Sequence, residues 1–333
     1  MNSQYRICAS CVLPENFPGI KFNDQGVCDL CTSYKKQEDP YRKKLEYQKR
    51  FEKIIQENKG LGQYDALMCY SGGKDSTYTL ALLKEQYSLK ILAVSFDNGF
   101  LPPQTLTNIK NVIEQIGVDH ILFKPRFDVL AKVFRSCAHE NIFPAKTLER
   151  SSAICTSCMA IIKYVALRFA LEKNIPLVAY GWSPGQAPIS SSIFKNNPQM
   201  IDQMQRSLLE PLLKIAGDEI RAYFLEPKHF QGGYQFPYNI HPLAFLDYDI
   251  DKIYAYISRF DWKKPEETDA NSTNCMLNSY ANFIHKQKTG FHPYAFELAN
   301  LVRGGYLDRD SALQRLRDPE NPAIVKMVDN KLG

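Results

Sequence analysis

The chain has 333 residues, 44% hydrophobic and 23% charged, an ordinary composition for a globular enzyme of one large domain or two smaller ones. Its 41 basic and 36 acidic residues leave a net charge of +5, too mild to require a nucleic-acid partner and equally suited to small anionic ligands. No run approaches the ~18 apolar residues of a membrane span, and MNSQYRICAS lacks the basic head and apolar stretch of a secretion signal. The expectation is therefore a cytoplasmic protein, off the membrane, whose nine cysteines stay reduced.

Residues 1–36 hold Cys8, Cys11, Cys28 and Cys31 as two C-x2-C pairs sixteen residues apart. Four thiolates at this spacing suit a closed tetrahedral zinc site, which leaves no open position for catalysis. The intervening segment, with Pro14, Pro18, Gly19 and the turn NDQG, cannot bury much alone, so the metal is expected to fold it. A reduced, metal-free knuckle is the alternative. Residues 37–63 read as a charged connecting helix with Leu45, Phe51, Ile54 and Ile55 on one face.

From residue 64 the pattern changes. DALMCY, KILAVSF, HILFKP and PLVAYGW read as buried strands, and four helical runs alternate with them. This predicts an α/β fold, a parallel sheet with helices on both faces, and ligands at the carboxyl ends of the strands. That edge would carry the Ser71–Ser76 loop, Asp97-Asn98-Gly99 and Gly181-Trp182. The segment 64–245 is expected to be the nucleotide-binding domain, with 183–245 less regular and suited to a lid or substrate loop. Residues 246–333 form a helical C-terminal region, in which Asp308 or Asp310 could cap the last helix.

The loop after the first strand reads CYSGGKDST. It is neither a Walker A motif nor a dinucleotide fingerprint. Gly72 and Gly73 allow close backbone approach, and successive N–H groups would face an anion at a helix N-terminus. Ser71, Ser76 and Thr77 add hydroxyls and Lys74 a mobile charge. Asp75 suits Mg²⁺ or a capping role.

Cys155 and Cys158 form another C-x2-C, with Cys275 alone downstream. Three cysteines could hold a [4Fe–4S] cluster with one iron open; a redox dithiol or a sulfur relay of catalytic thiols are the rivals. Cys69 and Cys137 read as packing residues. His229, His241 and His292, beside proline or aromatic residues, read as surface or core groups, and His120 has no special case.

The SGGKDS loop after a strand resembles that of the PP-loop ATPases, the adenine-nucleotide α-hydrolase superfamily. The resemblance implies cleavage of ATP to AMP and pyrophosphate, AMP being attached to a substrate oxygen and then displaced. Ser71, Gly72, Gly73, Lys74, Asp75 and Ser76 would hold the nucleotide with Asp97 and Gly181, and Asp75 with Asp97 would hold Mg²⁺. The four-cysteine start, the central C-x2-C and the late cysteine are similar to a branch that includes iron–sulfur tRNA thiolases. The tail NCMLNSYANFIHKQKTGFHPYAFELANLVRGGYLDRDSALQRL and the knuckle are similar to N-acetyl sugar amidotransferases, in which a partner glutaminase supplies ammonia. The stretch GWSPGQAPISSSIFKNNPQM departs from the acidic segment expected of sugar-modifying members, which leaves the acceptor open.

Two chemistries follow from the resemblance. In one, nitrogen replaces a carbonyl oxygen of a small acceptor such as a nucleotide sugar. In the other, Cys155, Cys158 and Cys275 serve sulfur transfer, from a sulfur donor to tRNA or to a small molecule. Nitrogen is the favoured expectation because it accounts for more of the chain. A non-catalytic nucleotide or redox sensor is the third reading, and a homodimer is compatible with any of them.

Overall fold

The computed structural model describes residues 5–34 and 39–333. The expected boundary between knuckle and connecting helix, at 36/37, lies outside the described residues. The knuckle ends in α1 (Asp29–Tyr34), and α2 (Pro40–Asn58) follows with Asp39 capping it and Phe51, Ile54 and Ile55 buried. Leu45 stays exposed.

The α/β alternation is present. β1 (Ala66–Cys69), α3 (Lys74–Glu85), β2 (Ile91–Phe96), α4 (Pro103–Ile116), β3 (Asp119–Phe123), α5 (Phe127–His139), the short α6 (Ala145–Leu148), α7 (Ala153–Glu172) and β4 (Leu177–Tyr180) follow in order. Two short strands, β5 (Ile193–Lys195) and β6 (Tyr238–Ile240), complete a six-stranded sheet of order β3-β2-β1-β4-β6-β5. All pairings are parallel except β5 with β6, so an antiparallel edge strand closes the expected parallel sheet.

Alternation along the strands divides the core between two faces. Ala66, Met68, Ala93 and Ala179 pack toward α3 and α4, while Leu67, Val94, Val178 and Tyr180 meet Ala166 and Ala170 of α7. Contrary to the expectation that no run approaches a membrane span, α7, alone among the described helices, has the length and apolarity of one, with a mean hydropathy of 1.6. Here the sheet and neighbouring helices bury it.

The 183–245 segment is more regular than expected. It contains α8 (Pro198–Ala216), whose Ile201, Leu209, Leu212 and Ala216 face the core. Asn197 caps α8, Pro198 starts it where no N–H is needed, and Pro211 sits inside it. These prolines hid a 19-residue helix from a reading that treats proline as a breaker. The C-terminal region is helical as expected: α9 (Ile250–Ile257), α10 (Leu277–Thr289), α11 (Ala295–Arg303) and α12 (Arg309–Arg317). Asp308, not Asp310, caps α12 by accepting from the Ser311 amide at 2.8 Å. A final helix, α13 (Pro322–Leu332), was not anticipated.

Candidate active site

β1 ends at Cys69 and α3 begins at Lys74, so residues 70–73 make the turn. Gly72 has φ +77°, and a Cβ there would lie 2.7 Å from Ile109 Cγ1; both facts require glycine. The turn is held from outside by Trp262, whose Nε1 donates to the Gly72 carbonyl at 2.9 Å. Inside it, the Ser71 and Ser76 hydroxyls meet at 3.0 Å, and Ser76 Oγ also donates to the Gly73 carbonyl at 3.0 Å. Ser71 is exposed at the mouth of the loop. Gly73 is the residue before α3, so the first-turn amides of α3 begin at this turn, that of Lys74 already taken by Thr273.

Lys74 and Asp75 form a tight pair. Lys74 Nζ donates to both carboxylate oxygens at 2.7 Å and to the Tyr248 hydroxyl at 3.2 Å, and that hydroxyl lies 3.2 Å from Asp75 Oδ1. Gly181, after β4, is held by packing. A Cβ there would lie 2.4 Å from Ser76 Cα, so β4 and the start of α3 touch backbone to backbone. The sheet runs β2-β1-β4, with β1 followed in sequence by the strand on one side and neighboured by β4 on the other. The loop therefore sits at the switch point where open α/β sheets bind ligands.

Asp97 ends β2. Its Oδ1 accepts from the Gly99 amide at 2.8 Å, and Oδ2 pairs with Lys124 at 3.0 Å. A turn-capping role is thus visible at the carboxylate also expected to face the nucleotide. Asn98 next to it reaches the cysteines: its Nδ2 donates to Cys275 Sγ at 3.4 Å and lies 3.7 Å from Cys158 Sγ. Cys155 Sγ lies 3.8 Å from Asn278 Oδ1, which also accepts from the Tyr294 hydroxyl at 3.1 Å. The Cys155–Cys158 pair and the distant Cys275 thus gather at the carboxyl edge around two asparagines. Burial pushes all three thiols up, Cys155 to about 12, so none is a ready thiolate nucleophile by itself. Three thiols brought together in this way are a donor set of the kind a metal cluster uses.

The loop and the cysteines share a strap. Thr273 Oγ1 accepts from the Lys74 amide at 3.1 Å, and Asn274 Oδ1 lies 3.1 Å from where a Gly73 Cβ would stand. Cys275 follows directly.

Several site residues carried no sequence signal. Glu297 of α11 accepts from Ser183 Oγ at 2.7 Å. Burial, helped by Asp75, pushes its carboxyl up to about 7, against the Ser183 hydrogen bond and Lys74. Gly185 fixes this contact, since a Cβ there would lie 2.5 Å from the Glu297 carbonyl. Trp182, expected at this edge, is joined at the ends of β4 and β6 by Lys163 and His241, which were not. Cys69, read as a packing residue, is partly exposed at the end of β1. Cys137 is buried as expected, and so are His229, His241 and His292. His120 Nε2 lies 2.8 Å from Ser95 Oγ.

The knuckle lies against α11 and α12. Its four sulfurs all lie within 4.8 Å of one another, with Cys8–Cys31 at 3.9 Å and Cys11–Cys28 at 3.8 Å. Tetrahedral Zn–S bonds of about 2.3 Å place sulfurs roughly 3.8 Å apart, so the set fits one tetrahedral ion. Arg303 Nη1 lies 3.4 Å from Cys11 Sγ and 3.8 Å from Cys31 Sγ. Arg309 donates to the Cys8 and Cys11 carbonyls, each at 3.0 Å.

No protein-family model matches the chain. It is 23% identical over 289 residues to an uncharacterised protein of Methanocaldococcus jannaschii, covering 84% of this chain and 85% of that one. Among solved structures it is similar to the U34-tRNA thiolase NcsA of Methanococcus maripaludis with its [4Fe-4S] cluster, at 16% identity and TM-score 0.35, covering 95% and 90% of the two chains. NMN synthetase from Francisella tularensis is similar at 11% identity and TM-score 0.40, with 89% and 97% covered. The NH3-dependent NAD synthetase of Campylobacter jejuni is similar at 11% identity and TM-score 0.36, with 89% and 94% covered. Likenesses this distant leave the chemistry to be read from the chain's own residues.

Proposed function

We propose that the chain is an ATP pyrophosphatase of the PP-loop kind, which adenylates a carbonyl oxygen of an acceptor and then replaces that oxygen. The observation that carries this is the Ser71–Ser76 turn at the sheet's switch point, its backbone shaped by Gly72 and Gly73, its two hydroxyls meeting at 3.0 Å and Lys74 leading into the helix behind it. Oxide is a very poor leaving group. When the carbonyl oxygen attacks the α-phosphorus, the α–β bond breaks and pyrophosphate leaves. The nucleophile then adds to the carbon, and the C–O bond breaks with AMP carrying the oxygen away.

Each residue has a place in this scheme. The loop amides and Lys74 stabilise charge growing on the phosphates; one such donor is worth roughly 3–4 kcal/mol. Mg²⁺, held by Asp75 with Asp97, would neutralise the departing pyrophosphate. An attacking amine must lose a proton, and Glu297, poised near neutrality beside the Lys74–Asp75 pair, is suited to accept it. Zinc on Cys8, Cys11, Cys28 and Cys31 would be structural and would anchor α11 and α12.

Nitrogen is the favoured nucleophile, as in N-acetyl sugar amidotransferases, with a small acceptor and ammonia from a partner glutaminase. Sulfur transfer is the second reading, favoured by the convergence of Cys155, Cys158 and Cys275 on the site. Those residues would hold an iron–sulfur cluster, which would supply sulfur delivery, to a small molecule or tRNA. The test is product analysis. Purified protein is given ATP, Mg²⁺, ammonium or sulfide, and candidate N-acetyl sugars, and mass spectrometry looks for exchange of oxygen for NH or S. An amidine supports the first reading, a thiocarbonyl the second, and AMP release without either rejects both acceptor assignments.

A further inference from the structure

One group of side chains at the carboxyl edge has no part in the scheme above. Lys163 lies on α7 about 7.5 Å of helix rise beyond Cys158 and faces the ends of the central strands. Its Nζ sits 4.4 Å from the Trp182 ring centre, and among the described residues no carboxylate or hydrogen-bond acceptor reaches it. Trp182 in turn stacks on His241, ring centres 4.4 Å apart and planes within 11°. His241 follows β6, and its Nδ1 is buried with no hydrogen-bond partner. Tyr180 and Cys69, the last residues of β4 and β1, close the group; Tyr180 packs on His241 at 5.2 Å.

Two things are unusual here. A half-buried ammonium among aromatic rings gains from an anionic partner, and a buried imidazole nitrogen normally has a hydrogen bond. Burial pulls Lys163 down to about 8 with only the Cys69 thiol opposing, and burial together with Lys163 pulls His241 to about 3. The environment lacks an anion, and both unsatisfied groups would gain one. Lys163 and Trp182 are only partly buried, so this side of the group is accessible. Its place is fixed too: Gly181, next to Trp182, touches the Ser76 backbone of the phosphate loop.

We propose that Lys163, His241 and Trp182 form an oxyanion-binding subsite that takes a carboxylate or phosphate of the acceptor and holds the acceptor beside the 71–76 loop. This rests on the function proposed above for the loop, and deepens it. The acceptor is then an acidic small molecule, its anion bound by Lys163 and by Nδ1–H of a neutral His241 at the edge of their stack with Trp182.

The chain has two tryptophans, and each reports on one site. Trp262 is bonded to Gly72 of the loop, and Trp182 belongs to the subsite. Full-length protein labelled with 5-fluorotryptophan gives two ¹⁹F resonances, assigned with Trp182→Phe. A non-hydrolysable ATP analogue with Mg²⁺ is expected to move Trp262. Succinate or inorganic phosphate, titrated with that analogue saturating, is expected to move Trp182. Lys163→Gln should weaken the Trp182 response about tenfold or more, while Lys163→Arg, which keeps the charge, should largely retain it. A response to succinate identifies a carboxylate acceptor; a response to phosphate alone identifies a phosphorylated one. If neither anion moves Trp182, or Lys163→Gln leaves the response unchanged, the subsite is wrong. If Lys163→Gln weakens the Trp262 response equally, Lys163 serves the nucleotide and the acceptor assignment falls. A Trp182 response that depends on Lys163, with Trp262 silent to the nucleotide, keeps the subsite and removes the ATP reading instead.

Discussion

Thr273 Oγ1 accepts the Lys74 amide hydrogen at 3.1 Å, two residues before Cys275. A single short strap therefore fastens the phosphate-type loop to the cysteine cluster, with Asn274 packed over Gly73 between them. The two features that the sequence displays 199 residues apart belong to one cleft.

Lys74 provides the first prediction. Its ammonium is the one positive charge in the loop and rests on Asp75. Lys74→Ala should lower pyrophosphate release by about 10²–10³-fold with the circular-dichroism spectrum unchanged. Unchanged release in a folded variant would remove Lys74 from the chemistry.

Gly181 is a packing test. An added methyl meets Ser76 backbone at 2.4 Å, and no flexible side chain can yield there. Gly181→Ala should destabilise the fold by at least ~1–3 kcal/mol in urea unfolding and displace the loop. Native stability would mean that β4 and α3 are not in backbone contact.

Glu297 links stability and activity to pH. Its folded carboxyl titrates near 7, above the usual carboxylate value of about 4.3. Between these two values the folded state binds more protons than the unfolded one, so this group's contribution to stability is full in acid and declines as pH rises toward 7. Glu297→Gln should flatten that decline. If Glu297 accepts the nucleophile's proton, turnover of the native enzyme should rise through pH 7 and lose this limb in the variant. An identical pH–rate profile would leave Glu297 a structural role.

Arg303 should tune the knuckle. Four thiolates around Zn²⁺ carry a net charge of −2, and the guanidinium lies against two of them. Arg303→Gln should weaken zinc about 10–100-fold in chelator competition, and zinc removal should lower the melting temperature by loosening α11 and α12. Iron in place of zinc at these four sulfurs, or stability indifferent to chelation, would contradict this.

What the sequence made legible is what is local. The two C-x2-C pairs of the knuckle and the Ser-Gly-Gly-Lys-Asp-Ser turn are each short motifs readable in one stretch of chain, and strand–helix alternation places the turn at the sheet edge. Glu297, Lys163 and His241 were not legible, because each reaches the cleft from a distant element and stands in a stretch that reads as ordinary helix or core. His241 was placed among the core histidines, and it is buried; only the structure shows its unpaired nitrogen. β5 and β6 are three residues each, too short for periodicity to register, and Pro198 and Pro211 disguised α8.

The central claim is that ATP is split between its α and β phosphates on the loop at 71–76. Phosphorus NMR of purified protein with ATP, Mg²⁺ and a library of acidic N-acetyl sugars measures this directly. The account predicts AMP and pyrophosphate in equal amounts, both lost in Lys74→Ala. ADP and inorganic phosphate as products, or no nucleotide binding by the intact chain, would contradict it.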